Sequence, residues 1–151
     1  MHSKGDNRMQ KTEEKSTELL QSELTHATNL EAFFAENENS LKEKSVADYL
    51  NEMLVKYGAD VSDVVRRAGL TNYAYQIFDG RKKAGREKLI QLAFGFPLTL
   101  EETQRLLRCG GHSELYVKNK REAYLMYALG KCFDLQQVNE LLYENNEKTF
   151  E

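Results

Sequence analysis

The stretch VSDVVRRAGLTNYAYQIFDG, residues 61–80, decides how this chain folds. Val61, Val64, Val65 and Ala68 recur at threes and fours, the spacing of one buried helical stripe. Gly69-Leu70-Thr71 interrupts that stripe. A tight helix-to-helix turn needs a residue at positive φ, which glycine adopts without steric cost. Gly69 supplies it, Leu70 plugs the corner, and Thr71 is placed to cap a second short helix, Asn72 to Phe78, that Asp79-Gly80 ends. Asp60 or Ser62 is placed to cap the first. In the second helix Tyr75 and Phe78 are expected in the core. Its N-terminus faces outward, where it can approach a phosphate or a base edge.

The pattern stays helical on both sides. Ser45 or Lys44 opens a helix carrying Val46, Tyr49, Leu50, Met53, Leu54 and Tyr57, closed by Gly58 as a left-handed cap. After the basic loop Arg81-Lys82-Lys83-Ala84-Gly85, a helix from Arg86 to Phe94 buries Leu89, Ile90, Leu92, Ala93 and Phe94. Thr99 with Glu102 forms a capping box ahead of a helix over Glu101 to Leu107, and Gly110-Gly111 breaks the chain. Two further helices are expected. Asn119 to Cys132 offers Ala123, Tyr124, Tyr127, Ala128 and Leu129 as its buried face. Leu135 to Tyr143, capped by Asp134, turns Val138, Leu141 and Leu142 inward. Leu115-Tyr116-Val117 is the only β-like triplet, so the fold class is all-α.

The N-terminal part reads differently. Residues 1–16 are polar and read as a disordered head without the apolar core of a signal peptide. Residues 17–36 read as one amphipathic helix, with Leu19, Leu20, Leu24, Ala27, Leu30, Phe33 and Phe34 on its stripe. That stripe must pack on its own domain, on a second copy or on a protein partner. Residues 1–43 hold nine acidic and five basic side chains, a difference of −4 against −3 for the whole chain. The expected organisation is a head at 1–16, an acidic helical arm at 17–43, a helix-turn-helix domain at 44–109 and a C-terminal helical extension at 110–151.

Residues 46–107 resemble the helix-turn-helix domain of lambda-repressor-like regulators, the XRE family. The resemblance is carried by Val64-Val65, Gly69-Leu70-Thr71, Asp79-Gly80 and the helix Arg86-Glu-Lys-Leu-Ile-Gln-Leu-Ala. The stretch 17–145 is also similar to uncharacterised helix-turn-helix proteins of Gram-positive bacteria. Between Gly69 and Gly80 the chain is one residue shorter than the usual pattern, and Ala84-Gly85 stand where a proline is common. The resemblance implies a lambda-repressor-like bundle with an N-terminal helix and two extra C-terminal helices. It also implies a cytoplasmic transcriptional regulator that reads double-stranded DNA, with dimerisation suited to palindromic sites.

On that reading Thr71, Asn72, Tyr73 and Gln76 face the major groove, where Asn and Gln pair with adenine. Arg81, Lys82, Lys83 and Arg86 hold the phosphates. Residues 60–88 carry seven basic and four acidic side chains, a local +3 that offsets the overall pI of about 5.7. The competing reading keeps the same scaffold as an adaptor that binds protein through the N-terminal helix or the tyrosine-rich C-terminal helices. No enzymatic motif occurs, and no cofactor is expected. Cys109, His112 and Cys132 lack the paired spacing of a metal site. No apolar run is long enough to span a bilayer.

Overall fold

The computed structural model describes residues 15–41 and 44–151. They belong to two compact units, one within Met1–Glu43 and the other Lys44–Glu151. The fold is all-α, with no strand among the described residues. Apart from Lys15 and Ser16, the expected head lies outside those residues.

In the first unit the single helix expected over 17–36 is two, α1 (Thr17–Thr25) and α2 (Leu30–Glu36), followed by the short α3 (Glu38–Leu41). The break is chemical. Asn29 turns its side chain to accept the Ala32 N–H at 3.1 Å and so restarts the helix as an N-cap. Ser16 caps α1 in the same way through the Leu19 N–H. Phe33 is buried and meets Phe34 edge-on at 5.5 Å, while Leu19, Leu24, Leu30, Phe34 and Leu41 are exposed.

The second unit holds α4 (Val46–Tyr57), α5 (Val61–Arg67), a 3-10 turn (Asn72–Ala74) running into α6 (Tyr75–Phe78), α7 (Arg86–Gly95), α8 (Leu100–Cys109), α9 (Lys120–Gly130) and α10 (Leu135–Glu144). Ser45 and Asn119 cap α4 and α9, and reciprocal capping boxes open α8 (Thr99/Glu102) and α10 (Asp134/Gln137). Helix α7 is the axis. Every residue from Leu89 to Gly95 is buried, because α5, α8 and α10 all pack on it. Its one polar residue there, Gln91, donates to the Ala68 carbonyl at 3.2 Å. A Cβ at Gly95 would stand 2.5 Å from the Val64 carbonyl, so glycine is what lets α5 and α7 approach this closely.

The core runs on without interruption to Leu125, Leu129, Val138, Leu142 and Phe150. Helices α9 and α10 therefore complete the core of the unit. Their expected faces need one correction. Tyr127 is 54% exposed, and Leu125 takes the inward place with Ala128 and Leu129. Leu125, Ala128 and Leu129 form an i, i+3, i+4 stripe, whereas Tyr127 lies two residues from Leu125 and so on the far side of a helix with ~3.6 residues per turn. Leu115-Tyr116-Val117 forms no strand; Leu115 is buried and its two neighbours are exposed.

Candidate functional site

Residues 61–80 form two short helices joined by a turn. Helix α5 ends when Gly69 enters the left-handed region at φ 70°. The Gly69 N–H then reaches the Arg66 carbonyl at 3.0 Å and the Leu70 N–H reaches Val65 at 3.1 Å, which satisfies two carbonyls the helix end would otherwise orphan. Gly69 has a second reason to be glycine. A Cβ there would lie 2.8 Å from Leu135 Cδ2, so the first residue of α10 seats on the turn. The C-terminal end of α6 is held from α4, where the Asn51 amide donates to the Phe78 carbonyl at 2.8 Å.

Thr71 and Asn72 are exposed, and Tyr73 and Gln76 are half-buried. Thr71 has the extended backbone of an N-cap but its side chain makes no capping bond, and neither does that of Asp60 ahead of α5. The 3-10 turn carries the N–H groups there instead, with Ala74 N–H on the Thr71 carbonyl at 3.0 Å. Tyr75, expected in the core, is 38% exposed, while Ile77 and Phe78 fill the inner face. Ile77 and Phe78 satisfy the burial of so short a helix and leave Tyr75 outside.

The four expected cations divide into two kinds. Lys82 and Lys83 are exposed and make no ion pair among the described residues. Lys82 is placed by its own backbone, whose N–H donates to the Gln76 carbonyl at 3.0 Å, and its Nζ lies 5.9 Å from the centre of the Tyr73 ring. Arg81 is exposed but turned back on Asp79, with Nη2 at 2.6 Å from Oδ2. That hydrogen-bonded pair holds the Asp79 carboxyl below its ordinary pKa and raises that of Arg81.

Arg86, expected at a phosphate, is tied into the fold. Its guanidinium donates to Glu122 at 2.6 and 3.1 Å, to the Ser113 carbonyl at 2.9 Å and to the Glu114 carbonyl at 3.0 Å. Four of its five N–H donors are thus engaged within the chain. Arg86 fastens the start of α7 to the 113–114 loop and to α9. Its hydrogen bonds, more than the burial that opposes them, hold the Glu122 carboxyl below the usual carboxylate range. The next residue repeats the link with the charges reversed, as Glu87 pairs with Arg121 at 2.5 Å. Arg121 also donates to the Lys148 carbonyl at 2.8 Å and lies over the Phe150 ring.

Beside the basic loop, His112 Nε2 is 3.2 Å from the Ala84 carbonyl. A recess of about 670 Å³ is lined by Ser45, Ile77, Lys82, Lys83, Cys109 and His112, among others. Among the described residues no three His, Cys, Asp or Glu side chains are grouped to hold a metal ion. Sequence reasoning missed Asn51, Glu122 and Leu135, whose roles come from contacts across 27, 36 and 66 residues of chain and leave no local pattern. The surface that results holds one exposed and one half-buried amide with two cations, which suits an anionic ligand carrying hydrogen-bonding edges. Compared with protein-family models, curated proteins and solved structures, the chain matches none of them.

Proposed function

We propose that the Lys44–Glu151 unit is a double-stranded DNA reader of the lambda-repressor-like kind and that the protein regulates transcription. The observation that carries this reading is the placement of Asn72 and Gln76. Asn72 is exposed at the start of the Asn72–Phe78 segment and Gln76 is half-buried four residues on, and the Gln76 carbonyl anchors the backbone of Lys82. Lys82, a lysine without an ion pair among the described residues, thus adjoins Gln76 and the Tyr73 ring. Thr71 and Tyr73 flank them. A bidentate Asn or Gln pair with adenine discriminates by roughly 1–3 kcal/mol, and Lys82 and Lys83 add backbone attraction that carries no sequence information. A two-fold dimer is the form that would read a palindromic site.

Such a reader works in the cytoplasm of a bacterial cell. Among the described residues no helix is long and apolar enough to cross a membrane.

The test is salt-titrated binding of the full chain to duplex DNA. Binding is expected to weaken steeply with salt, and Lys82→Ala with Lys83→Ala to flatten the logarithmic slope by about 2. One observation favours a second reading, docking of a protein: Arg81 and Arg86 are spent on carboxylates while Tyr75 is exposed. No binding to duplex even at low salt decides for that reading.

A further inference from the structure

The loop that Arg86 anchors is built as rigidly as a binding element. Gln104 clamps the Leu115 peptide from both sides, accepting its N–H at 2.7 Å and donating to its carbonyl at 3.0 Å. Glu122 accepts the Tyr116 N–H at 2.8 Å, and the Asn119 N–H closes onto the Tyr116 carbonyl at 3.0 Å. Between these fixed points Tyr116 and Val117 stand 57% and 63% exposed. The two large apolar side chains are thus held outward on a backbone pinned on both sides. A fixed scaffold presenting outward side chains is the arrangement recognition loops use.

Charge points to the kind of partner. Lys118 and Lys120 are exposed and make no ion pair among the described residues. The nearby carboxylates are already occupied, Glu114 by Arg108 at 2.7 Å and Glu122 by Arg86. The same loop abuts the 81–86 loop through His112 on Ala84 and Arg86 on Ser113. Lys118 is four positions on from Glu114, a span of at most about 14 Å. We infer that residues 116–120 are a second DNA-backbone contact that extends the edge begun by Lys82 and Lys83. In it Lys118 and Lys120 meet phosphates, and Tyr116 and Val117 lie against the sugars. Arg86 is then a positioning residue, whose guanidinium holds the loop that carries two lysines.

This inference rests on the DNA reading, and one experiment separates the two. Full-length wild type and the Lys118→Ala/Lys120→Ala double variant are titrated with the same random duplex across a range of salt. Both lysines are exposed and without an ion pair among the described residues, Lys118 in a turn and Lys120 at the first position of α9, so the double variant is expected to melt like wild type by circular dichroism. The double variant should bind roughly tens-fold more weakly near 0.1 M salt with a slope lower by about 2. Tyr116→Ala should weaken binding without changing the slope, since it removes no charge. Wild-type binding with an unchanged slope and affinity in the double variant overturns this inference alone and leaves the loop as a surface for protein. Wild type that binds no duplex at low salt overturns the DNA reading, and the inference with it.

Discussion

Arg86 and Glu122 meet through two hydrogen bonds, at 2.6 and 3.1 Å, across 36 residues of chain. Both side chains are largely shielded from solvent, so the pair acts as a rivet between α7 and α9. Glu122 also accepts the Tyr116 N–H, and the guanidinium holds two further carbonyls. Breaking it leaves a partly buried carboxylate with reduced compensation.

Arg86→Ala is therefore expected to destabilise the protein by about 2–4 kcal/mol, somewhat less than a fully buried pair because water reaches one edge. Urea unfolding measures it. Arg81→Ala should leave the unfolding midpoint where it is, because the Arg81–Asp79 pair is solvent-exposed and joins residues two apart. Equal losses for the two variants would contradict the distinction between rivet and surface pair.

Acid should loosen the same joints. The Arg86 hydrogen bonds lower the pKa of Glu122. Burial raises that of Glu102, but hydrogen bonds from Lys56, Tyr57 and the Thr99 N–H outweigh it, so Glu102 is lowered too. The Tyr57 hydroxyl is pushed up to about 12 by burial and by its bond to Glu102, so it stays a donor. A carboxylate whose folded pKa is depressed contributes its stability in full above the ordinary value of 4.5 and loses it as pH falls through the folded value. Unfolding followed from neutral pH downward should show stability dropping below that value. Glu122→Gln should be less stable at neutral pH and show a shallower drop. A variant curve parallel to wild type would count against the ion pair as the cause.

The turn is tested by Gly69→Ala. At φ 70° a side chain is strained, and its Cβ would stand 2.8 Å from Leu135 Cδ2. The expected loss is roughly 2–3 kcal/mol, the sum of a left-handed alanine and a displaced leucine. Gly111→Ala also places alanine at positive φ, 74°, but has nothing within 4 Å of its Cβ. It should cost only the backbone part, about 1 kcal/mol. Thermal or urea melts of the two variants, compared directly, separate strain from collision.

Local patterns carried most of the fold. Val64, Val65 and Ala68 are buried where their spacing put them, Gly69 turns as its position required, and the Thr99–Glu102 capping box forms. Each is a matter of a few neighbouring residues. What the sequence hid is long-range. The basic run at 81–86 reads as one patch, yet Arg86 is withdrawn by a carboxylate 36 residues away and Arg81 by one two residues away. Leu135 on Gly69 and Gln91 on Ala68 likewise belong to no local pattern. The break inside 17–36 has a local signal, since Asn29 is good capping chemistry, but the leucine stripe runs through it at helical spacing. Tyr75 and Tyr127 read as core residues in the sequence, and each sits outside because smaller or better-phased neighbours fill the core.

Amide chemical shifts of the full chain, recorded as a random duplex is added at low salt, test the central claim most directly. The account predicts perturbations concentrated at Thr71, Asn72, Tyr73 and Gln76 and at Lys82 and Lys83, fading as salt is raised. Spectra that do not move, or movements confined to residues away from that edge, would contradict it.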